Sequence, residues 1–142
     1  MIISFALTEK ELLAGLKTVT RRRWKPVTAA KFKAGTIHQA WSRVPFVPGA
    51  RRLGTIRATA DAYQERLGDI SAADLRAEGG MCRTVDEFLA LFDGDPNELI
   101  WVARFEVVTL VPCGCLFAQA FPCGSHKGLK NDCDCYCHKK TS

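Results

Sequence analysis

Two stretches of this 142-residue chain concentrate side chains able to do chemistry. After Pro112, six Cys and two His fall within 26 residues: Cys113, Cys115, Cys123, His126, Cys133, Cys135, Cys137 and His138. Deprotonated thiolates and imidazole suit zinc, and this donor set is enough for two tetrahedral sites. Cys123-x-x-His126 has an ordinary ligand spacing, whereas the Cys-x-Cys pairs are tighter than usual, so no ligand is assigned to an individual ion. Disulfides and unligated thiols are the alternatives. The tail's few apolar side chains (Leu116, Phe117, Phe121, Leu129, Tyr136) cannot hold about 30 residues by burial alone. The second stretch is Arg21-Arg22-Arg23-Trp24-Lys25, where an aromatic interrupts a basic run. Such a run offers phosphate contacts beside a ring on which a base can stack. Trp24 reads equally as a core residue, and Trp41 as a pocket wall or core.

Composition limits what these residues can serve. The chain is 47% hydrophobic and 25% charged, which fits one compact domain and excludes disordered, collagen-like and repeat classes. Met1 to Leu7 is apolar but short and runs into Thr8-Glu9-Lys10-Glu11, so neither a signal peptide nor a membrane span is expected. A cytoplasmic location follows, that of a host if the source is viral. In a reducing compartment seven Cys point to metal ligands or buried thiols. Charge is unevenly placed. Leu12 to Ala60 holds eleven basic side chains and no acid, while Asp61 to Val111 holds eleven acids against four Arg, giving +11 and −7. A polyanionic partner, RNA, DNA or a nucleotide phosphate, is one explanation; mutual neutralisation within one domain is the other.

The elements that must position these residues form an α+β pattern. Ile2, Ile3 and Phe5 read as a strand, and Thr8-x-x-Glu11 as a capping box opening a two-turn helix that Gly15 closes. Lys17 to Arg23 is β-branched and basic, a predicted strand. Pro26 and the residues after it form a loop or short helix. Thr36 to Trp41, carrying His38, follows the Gly35 turn, and Pro45, Pro48 and Gly49 mark a loop. Leu53 to Ala60 is a strand with Ile56, Ala58 and Ala60 on one face. Ser71-x-x-Asp74 starts a helix ended by Gly79-Gly80. Thr84-x-x-Glu87 starts another, whose Val85, Phe88, Leu89, Leu91 and Phe92 form a buried stripe. Trp101, Ala103, Phe105 and Val107 alternate as a half-buried strand. Cys82, between the two helices, reads as a pocket residue or an inert buried thiol.

Gly15-Leu16-Lys17-Thr18-Val19-Thr20-Arg21-Arg22 resembles the signature Gly-x-Lys-x-x-Glu-x-Arg of the ASCH family, a relative of the PUA RNA-binding domain. Gly15, Lys17 and Arg22 fit, and Thr20 stands where the general pattern has Glu. Lys and Thr at these two places match the branch of ASCH-type amidohydrolases that remove acetyl from N4-acetylcytidine. Their third member, a Glu after the next helix, matches Glu78. Trp41 and the Trp101–Phe105 strand are also similar to the family, and the likeness covers about residues 1–108. It implies a catalytic set in which Thr20 attacks the amide, Lys17 activates it and Glu78 is general acid/base, with Arg21 or Arg22 orienting the nucleoside. On residue type alone, Lys17 also reads as a cation ending a helix, Thr20 as a strand former and Glu78 as a solvated charge. Strict alternation along a strand from Lys17 would put Lys17 and Thr20 on opposite faces.

The expected architecture is therefore an ASCH/PUA-like β-barrel with flanking short helices over residues 1–111, followed by a zinc-binding tail at 112–142. The expected function is recognition of RNA or a modified nucleoside, with hydrolysis of N4-acetylcytidine as its sharpest form. A non-catalytic RNA-binding module and an adaptor whose zinc tail docks a protein partner are the alternatives. Small ASCH proteins of phages and bacteria are similar in length and motif.

Overall fold

The computed structural model describes residues 1–111, so the proposed zinc ligands Cys113 to His138 lie outside the described residues. Ile2–Ser4 is strand β1, and Glu9–Leu13 is helix α1. Strand β2 (Val19–Arg22) and helix α2 (Pro26–Ala29) follow, with Pro26 at the helix start where its missing N–H costs nothing. Next come β3 (Ile37–Trp41), β4 (Arg52–Ala58) and β5 (Tyr63–Arg66), the last leading into a 3-10 turn, Leu67–Asp69. Helices α3 (Ala72–Ala77) and α4 (Val85–Phe92) precede the long strand β6 (Leu99–Leu110). No helix among the described residues is long and apolar enough to cross a membrane.

The sheet runs β1-β3-β4-β6-β2, with β5 also pairing β6. Only β1 and β3 are parallel, so the sheet is mixed. Its two end strands, β1 and β2, exchange no backbone pairs. The Arg22 side chain spans them instead, Nη2 donating to the Ser4 carbonyl. The sheet is thus an open half-barrel with a few short helices, which fits the barrel-like α+β fold expected from the sequence. It stays open because β1 has only three residues, and a cavity lined from both end strands fills the gap.

β6 is covered on both faces because its side chains alternate between two cores. Ala103 and Phe105 join Ile3, Phe5, Leu12, Phe32, Ile56 and neighbours in one cluster. Ile100 joins Leu67, Ile70, Leu75 and Phe88 in the other. Register carries this division to β2: Thr20 lies opposite Ala103 and Arg22 opposite Trp101, while Arg21 lies opposite Val102. Thr20 and Arg22 therefore share the face of the first core. Arg21 points to the side of α3 and α4.

Several boundaries differ from those expected. Thr8 caps α1 in position only, since its side chain accepts no backbone bond, whereas Ser71 Oγ accepts from the Asp74 amide and Thr84 Oγ1 from the Glu87 amide. β2 begins at Val19, two residues later than predicted, and β4 ends at Ala58, before Ala60. β5, Tyr-Gln-Glu-Arg, has no apolar alternation and was not visible as a strand.

Candidate functional site

Gly15 takes a left-handed φ of +75°, which lets the chain leave α1 sharply with Leu16 N–H donating to the Glu11 carbonyl at 2.9 Å. Thr18 then ties the segment on two sides: its N–H donates to Ala77 O at 2.8 Å, and its carbonyl accepts from Phe105 N–H at 2.9 Å. Because Ala77 ends α3, this bond brings Lys17 beside Glu78, the cap of that helix. Gly79 completes the junction. A Cβ there would meet Glu11 Cβ and Cγ at 2.9 Å, so only glycine allows α1 to approach so closely.

The result is a buried charge network. Lys17 Nζ donates to Glu78 Oε2 at 2.7 Å and to the Glu78 carbonyl at 2.8 Å, two of its three N–H bonds. Arg21 Nη1 holds the other Glu78 oxygen at 3.1 Å, and Nη2 donates to Asp74 Oδ2 at 2.6 Å and Glu65 Oε1 at 3.2 Å. Arg104 grips Asp74 with both Nη atoms, at 3.0 and 2.8 Å, and its Nε donates to the Tyr63 hydroxyl. Burial pushes the Lys17 ammonium below its ordinary range, against the pull of Glu78. The Asp74 carboxyl is desolvated, yet its two Arg partners outweigh that and hold it below the usual range.

A cavity of about 320 Å³ opens beside this network, along the free edge of β2. Lys17, Thr20, Arg22 and Glu78 all line it, with Ser4 to Thr8 on one side and Leu75, Met81, Phe88, Leu91 and Phe92 on another. Strand alternation does not separate Lys17 from Thr20, because Lys17 precedes the strand and the cavity receives side chains from both faces at an unpaired edge. Thr20 Oγ1 accepts from Arg22 Nε at 3.1 Å. Arg22 is half-buried, sits 5.4 Å from the Phe5 ring centroid and has no carboxylate partner among the described residues. Burial pushes its guanidinium down, although an Arg stays charged in water-accessible protein. Cys82 also lines the cavity. Burial, then Glu87 and Glu78, push its thiol up, which keeps it protonated rather than nucleophilic.

The other singled-out residues are placed elsewhere. Arg21 touches the cavity, but its side chain is 0% exposed and spent on three carboxylates. Arg23 pairs with Glu98 at 2.7 Å and lies over Phe92. Trp24 packs on the first core, tilted against Phe32, which also stacks on His38. Trp41 donates to Gln39 Oε1 at 3.0 Å and does not line the cavity. Asp74, Glu65 and Arg104 were missed as site residues. A signal was available: Asp74 and Glu78 are four apart on one helix, so two carboxylates share a face and need a cation between them.

No protein-family model matches the sequence, and no curated protein matches it. Among solved structures, the fold is similar to that of ASCH from Zymomonas mobilis, with a TM-score of 0.54 and 15% identity over 77% of this chain and 68% of that one. It is also similar to a DUF984 protein of Enterococcus faecalis, with a TM-score of 0.51 and 22% identity over 72% of this chain and 70% of that one. At these identities the likeness is one of fold. The Gly15 to Arg22 motif, the mixed half-barrel and these two neighbours agree, and the chain has the ASCH fold.

Proposed function

We propose that the cavity binds a modified nucleoside, free or within RNA, and hydrolyses the amide of N4-acetylcytidine. One observation carries the reading: a buried Lys17–Glu78 pair at 2.7 Å lines the same cavity as the Thr20 hydroxyl. A Thr hydroxyl needs a base, and a desolvated Lys is one that can be neutral. Lys17 passes a proton to Glu78 across their hydrogen bond, and its free amine takes the Thr20 proton as Oγ1 attacks the acetyl carbonyl carbon. Glu78 returns its proton to the amide nitrogen as the C–N bond breaks, which releases cytidine and leaves acetyl on Thr20. Water then attacks that ester by the same two transfers, releasing acetate and restoring Thr20. Arg22, donating to Thr20 Oγ1, stabilises the developing alkoxide. Arg21 is a positioning residue that holds Glu78 in place.

A second reading, binding without turnover, is favoured by one feature: Thr20 Oγ1 bonds Arg22, and no base among the described residues contacts it. Incubation of the full chain with N4-acetylcytidine and chromatographic detection of cytidine separates the two. The hydrolase reading expects turnover that falls about 10²-fold or more in Lys17→Ala. Absence of turnover in folded protein overturns it in favour of binding. For Cys113, Cys115, Cys123, His126, Cys133, Cys135, Cys137 and His138 we propose zinc, on the chemistry of the donor set alone.

A further inference from the structure

The charged and hydroxyl side chains of the cavity come from one set of elements. Ser4, Thr8, Lys17, Thr20, Arg22 and Glu78 belong to the β1–α1 segment, where Phe5, Ala6 and Leu7 also line the cavity, to the α1–β2 turn, to β2 and to the cap of α3, whereas α4 and the turn before it contribute Met81, Cys82, Phe88, Leu91 and Phe92, which Leu75 of α3 joins. Phe88, Leu91 and Phe92 share one face of α4 by their spacing of three and four. Leu75 stands one turn before Glu78 on α3, so the apolar wall starts directly beside the carboxylate. Two residues of this wall stay open among the described residues, Met81 at 40% and Leu91 at 48% exposed, over a buried base of Leu75 and Phe88. The sequence stripe Val85, Phe88, Leu89, Leu91, Phe92 was expected to be buried throughout; Phe88 is, and Leu91 is not. Apolar surface gathered in a concave site marks what the site is built to cover.

We propose that the cavity selects an amide whose acyl part is an apolar chain longer than acetyl, laid along the α4 wall. This rests on the hydrolase reading for the position of the carbonyl carbon, between Thr20 and the Lys17–Glu78 pair. From that carbon the substrate extends two ways. Its nucleoside part carries hydrogen-bonding edges and needs polar partners, which Ser4, Thr8 and Arg22 offer and α4 does not. The acyl part therefore faces Leu75, Met81 and Leu91. An acetyl group presents one methyl to this wall and leaves most of it wet, while each further methylene buried there gains about three- to fourfold in affinity.

The test measures kcat/KM of the full chain, and Kd of its Thr20→Ala variant, for N4-acetyl-, N4-butyryl- and N4-hexanoylcytidine. The expected result is a rise of about three- to fourfold per methylene in both quantities. Leu91→Ser, a change at a half-exposed position, flattens this slope. Acetyl as the best substrate, with flat or weakening Kd along the series, overturns the inference and leaves the hydrolase reading standing. Absence of turnover for all three overturns the hydrolase reading. In that case Kd decides the wall on its own: tighter binding with chain length supports it, and equal Kd overturns it.

Discussion

Lys17 is caught between two opposed effects, desolvation that favours the neutral amine and Glu78 that favours the ammonium, and the first is larger. Its pKa in the fold thus lies below the ordinary 10.5, and between the two values the unfolded chain binds more protons. Stability contributed by Lys17 accordingly rises with pH across that window. Asp74 works at the other end of the scale. Held below 3.8 by Arg104 and Arg21, it contributes stability present above 3.8 and lost as pH falls through its folded value. Urea unfolding between pH 6 and 2 is expected to show a steep acid limb that is shallower in Asp74→Asn; equal slopes would remove Asp74 from the account. Arg21→Met leaves Glu78 and Asp74 buried without their shared cation and is expected to cost about 3–5 kcal/mol, read by the same denaturation. At this scale Lys17, Thr20 and Glu78 were legible because a local motif and a helix-end Glu could be matched. The partners that hold Glu78 were not, since a lone Glu65 or Arg104 has no pattern until β5 and β6 are paired.

Elements position the site through two glycines that act differently. Gly15 has open space around a would-be Cβ, so Gly15→Ala adds only the strain of a left-handed Ala, about 1 kcal/mol. Gly79, at φ +125°, combines strain with a clash against Glu11. Gly79→Ala is expected to destabilise more than Gly15→Ala and to lower turnover as well, because it separates α1 from the α3 cap that carries Glu78. Thermal unfolding and initial rates of the two variants check this, and equal effects would contradict it. Helix ends were readable where Ser71 and Thr84 bond their third amides, and the Gly79-Gly80 stop was plain. The start of β2 was misread by two residues because β-branched composition continues through Thr18, whose amide goes to Ala77 rather than to the sheet. β5 is held by its pairing to β6, a non-local cause that its polar sequence does not encode.

For the whole molecule, the uneven charge has an internal explanation. Lys17, Arg21, Arg23, Lys33 and Arg57, all from the basic half, pair with Glu78, Glu65, Asp74, Glu98, Asp61 and Glu106 of the acidic half. Much of the +11 and −7 is therefore spent within the domain, and among the described residues Arg22 and Arg43 have no carboxylate partner. The α+β class was legible from the order of elements. The open barrel was not, since closure depends on whether a three-residue β1 meets β2. All residues of the proposed reaction lie before Val111, whose amide donates to Leu53 O at 2.8 Å and ends the sheet. If the tail holds zinc and the domain holds the reaction, as proposed, elemental analysis is expected to find zinc in the full chain and none in a chain ending at Val111, which keeps amide hydrolysis; zinc in the shorter chain would place the metal in the domain. The claim that Thr20 forms a covalent intermediate is tested most directly by quenching the full chain during turnover of N4-acetylcytidine and mapping acyl groups by peptide mass spectrometry. The account predicts acetyl on Thr20, absent from Thr20→Ala, which does not turn over. Turnover that persists in Thr20→Ala, with no acetylated peptide, would contradict it.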